Sequence, residues 1–168
     1  MANTLYSNQF DQMPVLGTLD LSTGSNEGVV SCRFYDATAD AFIVAGTGVT
    51  LVDLAASDRS GAPIVGKRTA DGDAIFGVRM YSTRIGDTGV DDMVEIAGQG
   101  CVVYLNSNAA IPRGSSVALV LATPGNVAVA TANQTVLGVA LDHAQGANEL
   151  IRIKITADGI KPAATPAP

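Results

Sequence analysis

Short apolar runs of β character recur in the same order in both halves of the chain, and no long helical period interrupts them. In the first half Val49-Thr50-Leu51-Val52 is followed by Ile75-Phe76-Gly77-Val78 and Met93-Val94-Glu95-Ile96; in the second, Val117-Ala118-Leu119-Val120 is followed by Val136-Leu137-Gly138-Val139 and Leu150-Ile151-Arg152-Ile153. Each set comprises an alternating strand, an apolar-Gly-Val strand and an apolar strand broken by one charge. Alternation with period two sends successive side chains to opposite faces of a sheet. The order therefore predicts a β module built for packing and contact, with the second half echoing the first.

Between the ends, runs bounded by Gly, Asp, Asn or Pro predict strands near 29–35, 42–45, 49–54, 63–67, 74–81, 93–97, 101–105, 117–121, 126–130, 136–141 and 150–156. Asp71-Gly72-Asp73 carries the Asp-Gly pair of a tight hairpin turn, and Pro124-Gly125-Asn126 reads as the turn joining Val117–Leu121 to Val127–Ala130. Helix is confined to a turn or two at Leu51–Ser57 and Asn108–Ile111, because eighteen glycines and the missing 3.6 period oppose more. The expected fold class is all-β: a small β-barrel or β-sandwich, as one unit or as two related β lobes, with an extended N-terminal arm. The expected division is an arm over 1–27, a β domain over 28–156 with sub-lobes 28–98 and 99–156, and a Pro/Ala-rich tail over 157–168. At 168 residues the chain can bury a core without a disulfide or metal staple.

The arm carries Leu5, Tyr6, Phe10, Met13, Val15, Leu16, Leu19 and Leu21 at irregular spacing among polar residues. Eight such side chains are too many to leave in water, since each is worth roughly 1.5–3 kcal/mol when fully buried. They are the candidate contact residues for a neighbouring surface.

Charge narrows the possible partners. Only 15 % of residues are charged, against about 25 % in ordinary soluble domains, and a surface so poor in charge suits contact with protein. The net charge is −6 and the ten basic residues are scattered, so the basic stripe required by nucleic acid is missing. The N-terminus has neither the basic nor the apolar region of a secretory signal, and no run reaches the ~18 apolar residues of a membrane span. Cys32 and Cys101 each fall within a candidate strand and read as buried free thiols, which suits a reducing compartment such as the cytoplasm.

Motifs that imitate chemistry fail on their context. Gly61-Ala62-Pro63-Ile64-Val65-Gly66-Lys67 has the phosphate-loop spacing, but Arg68 replaces the metal-binding hydroxyl and a turn follows where a helix must begin. His143 is the only histidine and has no nucleophile arranged around it in sequence, while Asp71/Asp73 and Asp87/Asp91/Asp92 lack the calcium-loop register. Paired carboxylates for sugar cleavage would need an aromatic cleft, yet there is no Trp and only four Phe and four Tyr. No catalytic, cofactor or metal residues are assigned, and the expectation is a protein that is not an enzyme.

The C-terminal half runs through Gly100-Cys101-Val102-Val103-Tyr104-Leu105, Ala109-Ala110-Ile111-Pro112-Arg113-Gly114-Ser115-Ser116-Val117 with its Ile-x-x-Gly-x-x-Val phrase, Leu137-Gly138-Val139-Ala140-Leu141-Asp142-His143-Ala144, and Glu149-Leu150-Ile151-Arg152-Ile153-Lys154-Ile155. In these segments it resembles the small capsid decoration (cement) proteins of tailed bacteriophages. The resemblance spans about residues 100–156; in the first half the phrase is less clean, with Thr47-Gly48-Val49 standing nearest. The resemblance implies a virion protein on the outer capsid surface that binds the major capsid protein and reinforces the head across capsomer boundaries. It also implies a homo-oligomer, with a trimer favoured, and no cofactor, nucleic acid or membrane. The alternative is a β-rich head-fibre or tail attachment module.

Overall fold

The computed structural model describes residues 16–20, 28–37, 41–52, 61–81 and 88–160. Among them no helix occurs, and the strands form two closed five-stranded barrels with a two-stranded sheet beside the first. The first barrel consists of β1 (Val29–Phe34), β3 (Gly48–Leu51), β4 (Ile64–Lys67), β5 (Gly77–Arg79) and β7 (Met93–Ala97), while β2 (Phe42–Ile43) pairs with β6 (Thr88–Gly89). The second consists of β8 (Val102–Ser107), β9 (Ser116–Leu119), β10 (Asn126–Val129), β11 (Thr135–Ala140) and β12 (Leu150–Ile160). The all-β expectation holds, and the choice between one unit and two lobes is resolved as two barrels.

The barrels are the same object built twice. Around each ring the first strand lies parallel to the third, and every other pairing is antiparallel. The registers coincide as well. Arg33 pairs with Ile64 and Met93 as Asn106 pairs with Asn126 and Leu150; Val49 pairs with Lys67 and Gly77 as Val117 pairs with Val129 and Gly138. The three strand pairs that echo each other in sequence occupy equivalent places in the two rings.

The shared turns explain why the chain bends where it does. Gly46 and Gly114 both sit at positive φ, 81° and 83°, and donate to the carbonyls of Arg79 and Ala140, each over 2.8 Å. Thr47 N–H donates to Val44 as Ser115 N–H donates to Pro112, both over 3.2 Å. The less clean phrase of the first half is therefore complete as Ile43-Val44-Ala45-Gly46-Thr47-Gly48-Val49, four residues longer than the Thr47-Gly48-Val49 that the sequence reading recognised. Before the last strand of each barrel, Asp91 and Asn148 adopt φ of 68° and 63°, a region that Asp and Asn tolerate better than other non-Gly residues. There the carboxylates of Asp92 and Glu149 accept from the N–H groups of Gly89 and Gly146 over 3.0 and 2.7 Å.

One turn differs from its expectation. Asp71-Gly72-Asp73 does not close a hairpin between neighbouring strands, because β4 and β5 both pair with β3 and lie on opposite sides of it. The Asp73 carboxylate instead accepts from Ala70 N–H at 2.7 Å and Thr69 N–H at 3.0 Å, holding a crossover. Asn108–Ile111, read as room for a helical turn, contains no helix, and Ile111 makes a bridge to Ala144. The other candidate helical turn, Leu51–Ser57, lies mostly outside the described residues.

The interiors are apolar and matched. Cys32, Ile43, Val49, Val65, Val94 and Ile96 fill the first barrel, and their equivalents Leu105, Ile111, Val117, Val127, Ile151 and Ile153 are likewise buried in the second. The exception is Phe34, whose counterpart is Ser107. That buried hydroxyl donates to the Gly146 carbonyl at 2.6 Å and accepts from Glu149 N–H at 3.0 Å, so the polar group is satisfied.

Candidate functional site

Two features stand out among the described residues: the seam between the barrels and a set of exposed apolar side chains. The seam forms where the second barrel's Leu119 lies on Gly48 of the first, so close that a Cβ at Gly48 would stand under 3.0 Å from the leucine Cδ1. Next to it Gly125 meets Gly46 backbone to backbone, its N–H donating to the Gly46 carbonyl at 3.2 Å. The apolar cluster is continuous across this seam, joining Ile75, Val78 and Ala97 to the interior of the second barrel. The two barrels are thus packed against each other through one apolar cluster.

Arg68 stands at the same seam with its side chain fully buried. It donates to the Asp71 carbonyl, and burial pulls its pKa down while Asp71 and Asp73 oppose that. Its Nε and Nη1 have no hydrogen-bond partner among the described residues, and Arg68 helps line a pocket of about 30 Å³ together with Thr47, Val120 and Pro124. That volume holds a water or two.

Of the eight candidate contact residues, Leu16 and Leu19 are described, and both pack inside the chain. Leu16 lies on Gly125, and Leu19 bridges Val103 on β8. Gly17 ties both barrels, donating to Tyr104 at 2.7 Å and accepting from Tyr81 N–H at 3.0 Å. Asp20, at the end of this segment, binds Arg152 Nη1 at 3.2 Å, and Arg152 also clasps Asp142 through Nε at 2.9 Å and Nη2 at 2.7 Å. Residues 16–20 thus belong to the folded body. Leu5, Tyr6, Phe10, Met13, Val15 and Leu21 lie outside the described residues, as do residues 161–168 of the tail expected over 157–168; the first four residues of that expected tail instead continue β12, whose pairing with β11 runs on to Ile160.

The remaining sequence candidates take structural places. Lys67 ends β4, with its ammonium 3.3 Å from Asp36 and no helix after it, and His143 is exposed in the loop after β11. Cys32 and Cys101 are buried free thiols, one in each half. Among the described residues, no three His, Cys, Asp or Glu side chains come together in a metal-binding group, and no helix is long and apolar enough to cross a membrane.

The exposed apolar side chains are unequally shared. Phe42, Leu51, Tyr81 and Met93 are each at least half exposed, and all belong to the first half. Their equivalents in the second are Ala110, the buried Leu119, Asp142 and the partly buried Leu150. Sequence reading passed over this asymmetry because Leu51 and Leu119 sit in near-identical strings, and only their surroundings differ.

No known protein family's profile matches the chain, and no curated protein matches it. Among solved structures, it is similar to the head fiber gp8.5 N base of bacteriophage phi29, with 14 % sequence identity and a TM-score of 0.48, over 79 % of this chain and 97 % of that one.

Proposed function

We propose that this protein is a structural component of a tailed-phage virion, a decoration protein that binds the outer surface of the assembled head and holds neighbouring capsomers together. The observation that carries this reading is the duplication. A rigid body offering one barrel framework twice suits a shell that repeats its own surface, and two weak footholds on one body add through effective concentration. The phrases shared with decoration proteins now have a physical role, since each one shapes a turn or a ring closure of the barrel. The partner is the major capsid protein. The protein assembles as a homo-oligomer, with a trimer matching local three-fold positions, and it has no catalytic role.

The N-terminal arm is assigned to the shell contact, with its boundary moved to residue 15 because 16–20 complete the folded body.

Electron microscopy of particles made with and without the protein tests the proposal. Decoration predicts double-barrel density at regularly repeated positions over the head, and particles lacking it should release DNA at lower temperature. Density at a single vertex, or a shaft rising from each base, supports the fibre or tail attachment reading instead. A variant lacking residues 1–15 should keep the wild-type unfolding midpoint and lose capsid occupancy; full occupancy removes the arm from the contact.

A further inference from the structure

Residues 17–20 do for β8 what nothing among the described residues does for β1. Gly17 N–H donates to the Tyr104 carbonyl at 2.7 Å, Tyr104 N–H to the Thr18 carbonyl at 2.9 Å and Asp20 N–H to the Val102 carbonyl at 2.9 Å, while Leu19 faces Val103. The outer edge of β8 is thereby paired over its first half, ahead of the place where β10 takes over at Asn106.

The equivalent edge in the first barrel is Val29–Ser31, since Arg33 stands in the place of Asn106. Gly98 N–H donates to Gly28 and Phe34 N–H to Asp92, so the alternate residues Gly28, Val30, Cys32 and Phe34 turn their polar backbone groups toward β7. Val29, Ser31 and Arg33 turn theirs the other way. Arg33 N–H meets the Pro63 carbonyl at 2.8 Å, as Asn106 N–H meets that of Gly125 at 2.9 Å, but among the described residues no backbone group pairs with the outward side of Val29 or Ser31. Burial differs in the same sense: Val102 and Val103 are 3 % and 0 % exposed, whereas Val29 and Val30 are partly exposed and Ser31 is exposed. An unpaired edge of this kind is a template for an added strand.

We propose that this edge receives residues 3–6 of the neighbouring copy on the shell, as a short antiparallel strand laid on β1 in the way that 17–20 lie on β8. Asn3-Thr4-Leu5-Tyr6 repeats the Thr-Leu pair of Gly17-Thr18-Leu19-Asp20 and contains no proline, so Leu5 comes to face Val30, and Asn3 and Tyr6 have the N–H groups that Gly17 and Asp20 use. The last position also fits by charge. Glu95 stands opposite Ser31 as Arg152 stands opposite Tyr104, so where the second barrel binds the Asp20 carboxylate the first would repel one, and Tyr6 brings none. Nine residues separate Tyr6 from Leu16, which is fixed at the seam. Extended, they span ~30 Å, about the width of a small domain and so the step from one body to the next. The proposal rests on the decoration reading, in which the arm leaves its own body for the shell, and it names what the first residues of the arm meet there.

The test labels the exposed Ser31→Cys variant with a photoactivatable thiol reagent, mixes it with unlabelled wild type carrying a different tag, and irradiates after both have bound heads that lack the protein. A product carrying both tags, with the attachment mapped to residues 1–15, is the expected result. Tyr6→Pro in the unlabelled copy should lower the yield of that product about fivefold, the worth of one hydrogen bond. Since Tyr6 precedes both barrels, the substitution leaves their fold alone. Attachment to the labelled copy's own arm, elsewhere on a second copy or to the shell protein overturns the exchange, as does the absence of any product on fully occupied heads. Heads that take up neither copy remove the decoration reading itself, and the exchange with it.

Discussion

Gly77 and Gly138 hold equivalent positions in the two barrels, and a Cβ at either would stand under 3.0 Å from the carbonyl oxygen of the facing residue on the last strand, Ala97 or Lys154. The glycine of each apolar-Gly-Val strand is therefore the point where the ring closes with two backbones in near contact. Gly77→Ala and Gly138→Ala should each destabilise the fold by ~1–3 kcal/mol, the usual cost of overpacking. Chemical denaturation of the two variants against wild type checks this, and a neutral result at both would remove close approach as the reason for the glycines.

Asn148 at φ 63° turns the chain into the last strand, and its N–H donates to the Ser107 carbonyl at 2.7 Å. Asn148→Gly should be tolerated, whereas Asn148→Val should cost ~1–2 kcal/mol because a β-branched side chain resists the left-handed conformation. The same contrast is expected at Asp91, whose φ is 68°. Thermal midpoints of the four variants provide the comparison.

Arg152 joins Asp142 and Asp20, tying residues 16–20 to the second barrel. The hydrogen bonds from Arg152 are the largest cause holding the Asp142 carboxyl below its ordinary value, and backbone N–H bonds from Ala70 and then Thr69 do the same for Asp73. A carboxyl depressed in the folded state stabilises fully above its unfolded pKa, about 3.9 for Asp, and that contribution disappears as pH falls through the folded value. Stability should therefore be flat above about pH 5 and decline below about pH 4. Arg152→Ala should cost ~1–2 kcal/mol at neutral pH, soften the acid decline, and speed hydrogen exchange at the Tyr104 amide, which donates to Thr18. Unchanged exchange there would show that the segment is held without Arg152.

Burial pushes the Cys32 thiol up to about 11 and raises that of Cys101. Since the thiolate is the reactive species, neither should react with an aromatic disulfide reagent at pH 8 on the timescale of minutes while the protein is folded. Both should react at once in denaturant. Rapid modification of the native protein would place a thiol at the surface.

Leu119→Ala should cost ~2–4 kcal/mol, since it removes a buried leucine and opens the seam, while Leu51→Ala at the equivalent exposed position should leave the unfolding midpoint of the single chain within a degree or so. Calorimetry of the pair reads the difference that the surroundings make.

Local patterning carried a large part of this fold. Alternation and turn residues placed strands close to their observed positions, because period-two burial and positive-φ turns are properties of a few adjacent residues. The echo of Val49, Ile75 and Met93 with Val117, Val136 and Leu150 already marked equivalent places in two rings. The reading stopped short where a residue's role is set by distant neighbours. Asp71-Gly72 looks like a hairpin until β3 is found between the strands it joins, and Leu16 and Leu19 look like arm residues until β8 and Gly125 are found beneath them.

Composition and pattern alone were enough to establish an all-β chain, its repeated order and its buried thiols. Three-dimensional packing assigned the two closed rings, the seam, and the different fates of Leu51 and Leu119. The reason is physical: backbone preference acts over neighbouring residues and is written along the chain, whereas burial is a property of whichever surfaces meet. Two nearly identical strands thus acquire opposite roles when only one of them has a barrel to rest against.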